Sequence, residues 1–359
     1  MLTPTRWMPS EESGLPARRW PGRLFAHGFS VNKRLILRRF AGDRQVRFIR
    51  SAQQIPSGST LLLWGSCPAP VGLPPAVDVV RVEDGFLRSV GLGAELSRPV
   101  SWVMDGRGIY YDATRPSDLE YLLQTFQPGP QLRDRAARLR ERIVASGITK
   151  YSVGQGSWRR PAGSRRVILV PGQVETDASL RFGAPHIRTN IALLEAVRRE
   201  NPDAFLVYKA HPDVVAGLRA RGEREDQAWS ICDAVVEDVP MGQLLTQVDE
   251  VHVLTSLAGF EALLRHKRVV CYGQPFYAGW GLTHDLSPVE RRTRRLTLDE
   301  LVAGTLIFYP TYVSRSSGCH ISPERALEEL LEWRSQAPTH IQPWRHAWRA
   351  MLRLAVGCK

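Results

Sequence analysis

Apolar residues in this chain fall into short blocks separated by amphipathic stretches, and the two kinds of segment alternate. "TLLLWG" (Thr60–Gly65), "AVDVVRVED" (Ala76–Asp84) and "WVMDG" (Trp102–Gly106) are apolar runs ending in glycine or an acid, which predicts short strands. "SDLEYLLQTF" (Ser117–Phe126) repeats its apolar residues at three- and four-residue steps behind a serine, the pattern of a helix with an N-cap. "RDRAARLRERIVASGI" (Arg133–Ile148) predicts a second helix with Gly147 at its end. Further on the alternation is cleaner. Strands are predicted at Val167–Val170, Phe205–Ala210, Glu250–Leu254 and Arg268–Gly273, and helices at Asn190–Pro202 and Ser256–His266. Strands alternating with helices of this length predict an α/β fold with a parallel, doubly wound sheet.

Residues 1–30 are rich in Pro, Gly and Arg with no period and predict a flexible basic lead-in, while "GQGSWRRPAGS" (Gly154–Ser164) reads as a linker. The expected domains are a Rossmann-like half over 31–160, a second over 161–320, and C-terminal helices over 321–359. A chain of 359 residues has room for two cores. Two such halves facing across a cleft form the GT-B architecture, used by many nucleotide-sugar glycosyltransferases. Neither G-x-G-x-x-G after a first strand nor G-x-x-x-x-G-K-[ST] occurs, so dinucleotide and P-loop readings lose their usual support.

Composition narrows the class. Five scattered cysteines fit neither a disulfide framework nor a zinc site and point to a reducing compartment. No stretch approaches the roughly 20 apolar residues of a membrane span, and the N-terminus lacks a signal-peptide core. The expected location is therefore cytoplasmic. Of the net charge of +12, eight lie in residues 1–50, where eleven lysines and arginines face three acids. An acidic partner or a merely solubilising surface would both account for this excess. Nucleic acid is not expected, because no binding module and no run of aromatics among basic residues is present.

Four polar clusters fall at predicted strand ends, where ligands of open α/β sheets bind. Glu83 and Asp84 close the first, with Gly85; one carboxylate can face a cleft as a base, although an ordinary turn explains the same residues. The second is "GQVETDAS", with Gln173, Glu175, Asp177 and Ser179. Arg181 and Arg188 nearby can keep Asp177 ionised as nucleophile or base, or the loop is a salt-bridged surface. The third, "YKAHPD", sets Lys209 and His211 before Pro212, a combination suited to a phosphate leaving group. In the fourth, Thr255 and Ser256 open a helix whose free amides and dipole suit phosphate, Gly259 allows close approach, and Glu261 is placed either for a ribose hydroxyl or as a helix-start acid.

Taken together, "EDGFLRSVGLGA", "GQVETDASLRFG", "YKAHPDV", "TSLAGFEALLRHKRVVCYGQPFYAGWGLT" and "RRTRRLTLDELVAGTLIFYPTYV" resemble the bacterial capsule polysaccharide biosynthesis and export family, from about Leu61 to about Val313. That family includes β-Kdo glycosyltransferases. The resemblance implies a GT-B enzyme that transfers 3-deoxy-D-manno-octulosonic acid (Kdo) from CMP-β-Kdo, with retention, to a lipid-linked acceptor, with no metal and no cofactor beyond the donor. It implies Asp177 as the nucleophile, His211 and Pro212 as the motif that grips the CMP phosphate, Thr255 and Ser256 as the phosphate-binding helix start, and Glu83 or Asp84 as the acid serving the acceptor. Lys209, His211, Arg181 and Arg188 can offset the donor's carboxylate and phosphate charge. Family members with two transferase modules differ from this chain, which has length for one. A non-catalytic export or assembly factor is the competing reading.

One segment outside the resemblance bears on partners. "PWRHAWRAMLRLAVG" (Pro343–Gly357) predicts an amphipathic helix with Trp344, Trp348, Met351, Leu352 and Val356 recurring at three- and four-residue steps and Arg345, Arg349 and Arg353 forming a basic stripe. Such a helix suits a peripheral contact with the inner membrane, or it packs back across the cleft.

Overall fold

The computed structural model describes residues 22–89, 98–150, 154–163 and 166–336, so the predicted helix Pro343–Gly357 lies outside the described residues. These divide into two compact units, the first holding the chain up to Arg88 with Arg98–Ala137 and Asp299–Leu331, the second mainly Arg138–Leu298.

The first five strands are β1 (Leu24–His27), β2 (Val46–Phe48), β3 (Thr60–Trp64), β4 (Asp78–Asp84) and β5 (Ser101–Asp105). The next six are β6 (Val167–Pro171), β7 (Phe205–Lys209), β8 (Ala234–Val236), β9 (Glu250–Val253), β10 (Arg268–Cys271) and β11 (His284–Asp285). The last two, β12 (Pro310–Val313) and β13 (His320–Ile321), return to the first unit.

In the second unit the sheet runs β11-β10-β9-β6-β7-β8, and every pairing is parallel, as the apolar runs predicted. β6 is wholly buried because both of its faces are covered, which is why it reads as an unbroken apolar run. Ile168, Val170, Leu206 and Tyr208 pack with Leu194 and Val197 of the helix Asn190–Glu200, which Thr189 caps by accepting from the Ala192 amide at 3.2 Å.

The first sheet runs β13-β12-β5-β4-β3-β1-β2 and is mixed, unlike the parallel sheet expected. β1 to β4 pair in parallel, but β5 is antiparallel to both β4 and β12. Alternation along β3 feeds two cores, Leu62 on one face and Leu61 with Leu63 on the other. Ser117 caps the helix Asp118–Thr125 through the Glu120 amide at 3.0 Å, and Gly147 (φ +65) ends the helix Pro130–Ser146 in a conformation that favours glycine.

Three expectations are corrected. Residues 24–27 of the supposed lead-in form β1, hydrogen-bonded between β2 and β3; four residues are too few to show a period. Residues 299–320 do not close the second half, because β12 completes the first sheet, a pairing across more than two hundred residues that no local pattern encodes. Residue 321 lies in β13 and the helix Pro323–Gln336 follows in the same unit up to Leu331.

Candidate active site

The chain leaves β6 at Pro171 and reaches Asp177 at the N-cap of the helix Ala178–Gly183. Its backbone is extended (φ −68°, ψ 144°), yet its carboxylate makes no capping hydrogen bond. Arg219 Nη2 lies 4.0 Å from Asp177 Oδ1. Burial raises the Asp177 pKa, opposed by the charges of Arg219 and Lys150. Ser179 is half-buried in the helix that follows. Arg181 turns its guanidinium onto the Phe182 ring, 5.2 Å from the centroid, and Arg188 Nε donates to the Ala184 carbonyl at 3.0 Å. The arginine at ion-pair distance from Asp177 is thus neither of the two that the sequence offered.

His211 ends the loop after β7 and caps the short helix Pro212–Val215 by an unusual route: Nδ1 accepts from the Asp213 amide at 3.2 Å. Pro212 fixes the first turn and has no amide of its own to satisfy. With Nδ1 an acceptor, the neutral ring carries its proton on Nε2. The ring is held neutral, its pKa lowered to about 3 by burial and then by the charges of Lys150, Arg219 and Lys209. Asp177 and His211 therefore share the cations Lys150 and Arg219. Lys209 is buried, donates from Nζ to the Glu237 carbonyl at 3.0 Å, and has its pKa lowered to about 8 by burial against the pull of Asp238 and Glu237.

Gln173 is spent on Thr255. Its Nε2 donates to Thr255 Oγ1 at 3.0 Å, its Oε1 accepts from the Thr255 amide at 2.9 Å, and Asn190 brackets its backbone on both sides at 2.9 Å. This amide fixes the loop after β9 to the loop after β6 and so sets where the helix Leu257–Leu264 begins. Ser256 caps that helix through the Ala258 amide at 3.2 Å, and its carbonyl accepts from the Tyr277 hydroxyl. Gly259 has a different reason from the one expected: a side chain there would strike the same Tyr277 hydroxyl. Glu261 is buried and its Oε1 accepts from the Lys150 amide at 2.7 Å, which leaves it a tether for the Lys150 segment. Burial pushes its pKa up to about 7, against the Lys150 amide and the Arg265 and Lys150 charges.

In the first unit, strand alternation sends Glu83 and Asp84 to opposite faces. Asp84 is fully engaged: Arg88 Nε is 2.6 Å from Oδ2 and Trp102 Nε1 donates to Oδ1 at 3.0 Å. Glu83 accepts from the Asp84 amide at 3.0 Å, and its other oxygen faces Gly65. The negative charge of Glu83 is among the causes that raise the Tyr111 pKa, after burial.

Lys150 and Arg219 were missed by the sequence reading. Neither sits in a motif: Lys150 follows the helix cap in "SGITK", and Arg219 lies in "LRARGERED" among two other arginines and three acids. Only tertiary contact singles them out.

The family model of the capsule polysaccharide biosynthesis protein matches residues 62–151 and 142–314. The capsule polysaccharide modification protein LipA of Neisseria meningitidis serogroup A is 43% identical over 320 residues, 86% of this chain and 46% of that protein. The chain thus spans about half the length of that relative. The lipopolysaccharide-processing protein LpsZ of Rhizobium meliloti is 39% identical over 86% of this chain and 74% of its own length. Among solved structures, the β-Kdo 2,7 transferase of Thermosulfurimonas dismutans KpsC has a TM-score of 0.74 at 40% identity, covering 87% of this chain and 100% of that one. The KpsC β-Kdo 2,4 transferase has a TM-score of 0.76 at 33% identity, with 86% and 98% covered.

Proposed function

The chain belongs to the capsule polysaccharide biosynthesis family, and on that premise we propose that it is a Kdo transferase, moving Kdo from CMP-β-Kdo to a lipid-linked glycan acceptor with retention of configuration. The observation that carries this reading is Asp177: a strand-end carboxylate that caps nothing in its own helix and shares two cations with a neutral His211. The likeness to solved β-Kdo transferases over nearly their whole length supports it. The GT-B arrangement belongs to the same proposal.

In the first displacement a carboxylate oxygen of Asp177 bonds to the anomeric carbon while the carbon–oxygen bond to CMP breaks, and CMP leaves with the bonding pair. His211 Nε2–H donates to the departing phosphate, and the amides at the start of Leu257–Leu264 face the same charge. Lys150 and Arg219 offset the donor's two negative groups, and Gln173 with Thr255 fixes the loop from which Ser256 caps the helix. In the second displacement an acceptor hydroxyl attacks the anomeric carbon, the bond to Asp177 breaks, and the hydroxyl proton passes to a carboxylate. Glu83 or Asp84 is assigned that role; each already accepts hydrogen bonds in the first unit, Glu83 from the Asp84 amide and Asp84 from Arg88 and Trp102. Two inversions give retention.

The test is incubation of the protein with CMP-Kdo generated in place and a Kdo-terminated lipid acceptor mimic. The expected product is one Kdo heavier with a β linkage by NMR, and a donor-only reaction should leave a Kdo adduct on the peptide containing Asp177. An α product would refute retention. Absence of any transfer while CMP still binds would return the chain to a non-catalytic export or assembly role.

A further inference from the structure

We propose that the helix Val31–Phe40 of the first unit is a docking face for an anionic lipid bilayer, lying flat in the interface. The sequence "VNKRLILRRF" contains no acid. Its inner side is fixed by buried Leu37 and Phe40, and Lys33 lays its ammonium 3.5 Å from the centroid of Trp64. The outer side runs against ordinary surface composition: Val31 is 73% exposed and Leu35, one turn on, is 61% exposed. At 100° per residue these two form the centre of the outer face, with Arg34 and Arg38 on one flank and Arg39 on the other.

Charge complementarity selects the occupant. Two apolar side chains ringed by arginines match the acyl boundary and the phosphates of a bilayer, whereas a protein partner would have to bring acids to every flank. Arg34 and Arg38 set their guanidinium groups 5.1 and 5.9 Å from the centroid of the Phe48 ring, Arg34 Nε also donates to the Phe29 carbonyl at 3.1 Å, and β2, which carries Phe48, is an edge strand with exposed Arg47. Among the described residues no helix is long and apolar enough to cross a membrane, so this face offers surface contact and not insertion across it. The inference is independent of the transfer chemistry, since none of these residues belongs to the assigned site.

The experiment is flotation of the full chain with vesicles of phosphatidylglycerol and phosphatidylcholine, against phosphatidylcholine alone, at low and high salt. The expected result is binding to the anionic vesicles that weakens as salt rises. The double variant V31S/L35S keeps the net charge and should bind at least about tenfold more weakly, the loss of two aliphatic side chains from the apolar boundary. Donor turnover with a water-soluble acceptor should be unchanged. A second measurement guards against a folding artefact: a solvent-sensitive dye on Leu35→Cys should shift to the blue when anionic vesicles are added. Failure of the wild type to float, or equal flotation of the double variant, would overturn the proposal. So would a dye already blue-shifted before vesicles are present, which would mean that another part of the chain, or a second copy, covers the helix.

Discussion

In the first unit, Asp105 at the end of β5 accepts four hydrogen bonds: Oδ1 from the Arg107 and Gly108 amides at 2.9 and 2.7 Å, Oδ2 from the Asp118 amide at 2.9 Å and the Tyr309 hydroxyl at 2.7 Å. In the second, Asp177 sits at a comparable place after β6, makes no capping hydrogen bond, and has Arg219 only at the 4.0 Å limit of an ion pair. Burial raises both pKa values, Asp105 to about 6 with a further push from Asp118. A raised pKa therefore does not separate the two. Saturation of the oxygens does: a carboxylate with every lone pair committed holds loops together, and one whose oxygens are not committed to its own fold has capacity for a ligand.

The sharpest break of this comparison is Asp177→Asn. The variant should lose about a thousandfold or more in transfer, as expected for a removed nucleophile. Its thermal midpoint should stay near that of the wild type, because no capping bond is lost. Turnover within tenfold of the wild type would sink the assignment.

Asp105→Ala should do the reverse. Four donors in a buried place would lose their acceptor, at a cost of about 3–5 kcal/mol read as a lower denaturation midpoint. Transfer per folded molecule should be retained. If stability is unchanged and turnover falls, saturation is the wrong criterion.

The smallest effect concerns Glu261. In the folded chain it keeps its proton up to about pH 7, whereas unfolded it releases it near 4.5. The folded state therefore binds the extra proton between those values, and stability falls as pH rises from about 4.5 through about 7. Glu261→Gln retains an acceptor for the Lys150 amide and removes this titration. It should flatten the pH dependence of the melting midpoint and gain on the order of 1–3 kcal/mol at pH 8 relative to wild type. An unaltered pH profile would show that Glu261 does not titrate in this range.

Much of the candidate site was legible because strand ends advertise themselves. Asp177, His211, Thr255 and Ser256 each follow an apolar run, and Ser117, Thr189 and Ser256 cap the helices they precede. What the sequence could not rank was the use of each polar group. Gln173 and Glu261 look like ligand contacts on paper; in the fold Gln173 is committed to Thr255 and Glu261 to the Lys150 amide. The two arginines nearest Asp177 in sequence, Arg181 and Arg188, turn to Phe182 and to the Ala184 carbonyl.

By itself the sequence determined the parallel sheet of the second unit, its capped helices and the strand ends where polar residues collect. These depend on periodicity and on neighbours three or four positions away, which a linear reading holds. Only the tertiary structure decided that β1 is an internal strand, that β12 crosses back to pair with β5, and that Lys150 and Arg219 meet around Asp177 and His211. Those outcomes are pairings between distant segments, fixed by burial and charge summed over the whole fold, and no local window of residues contains their partners.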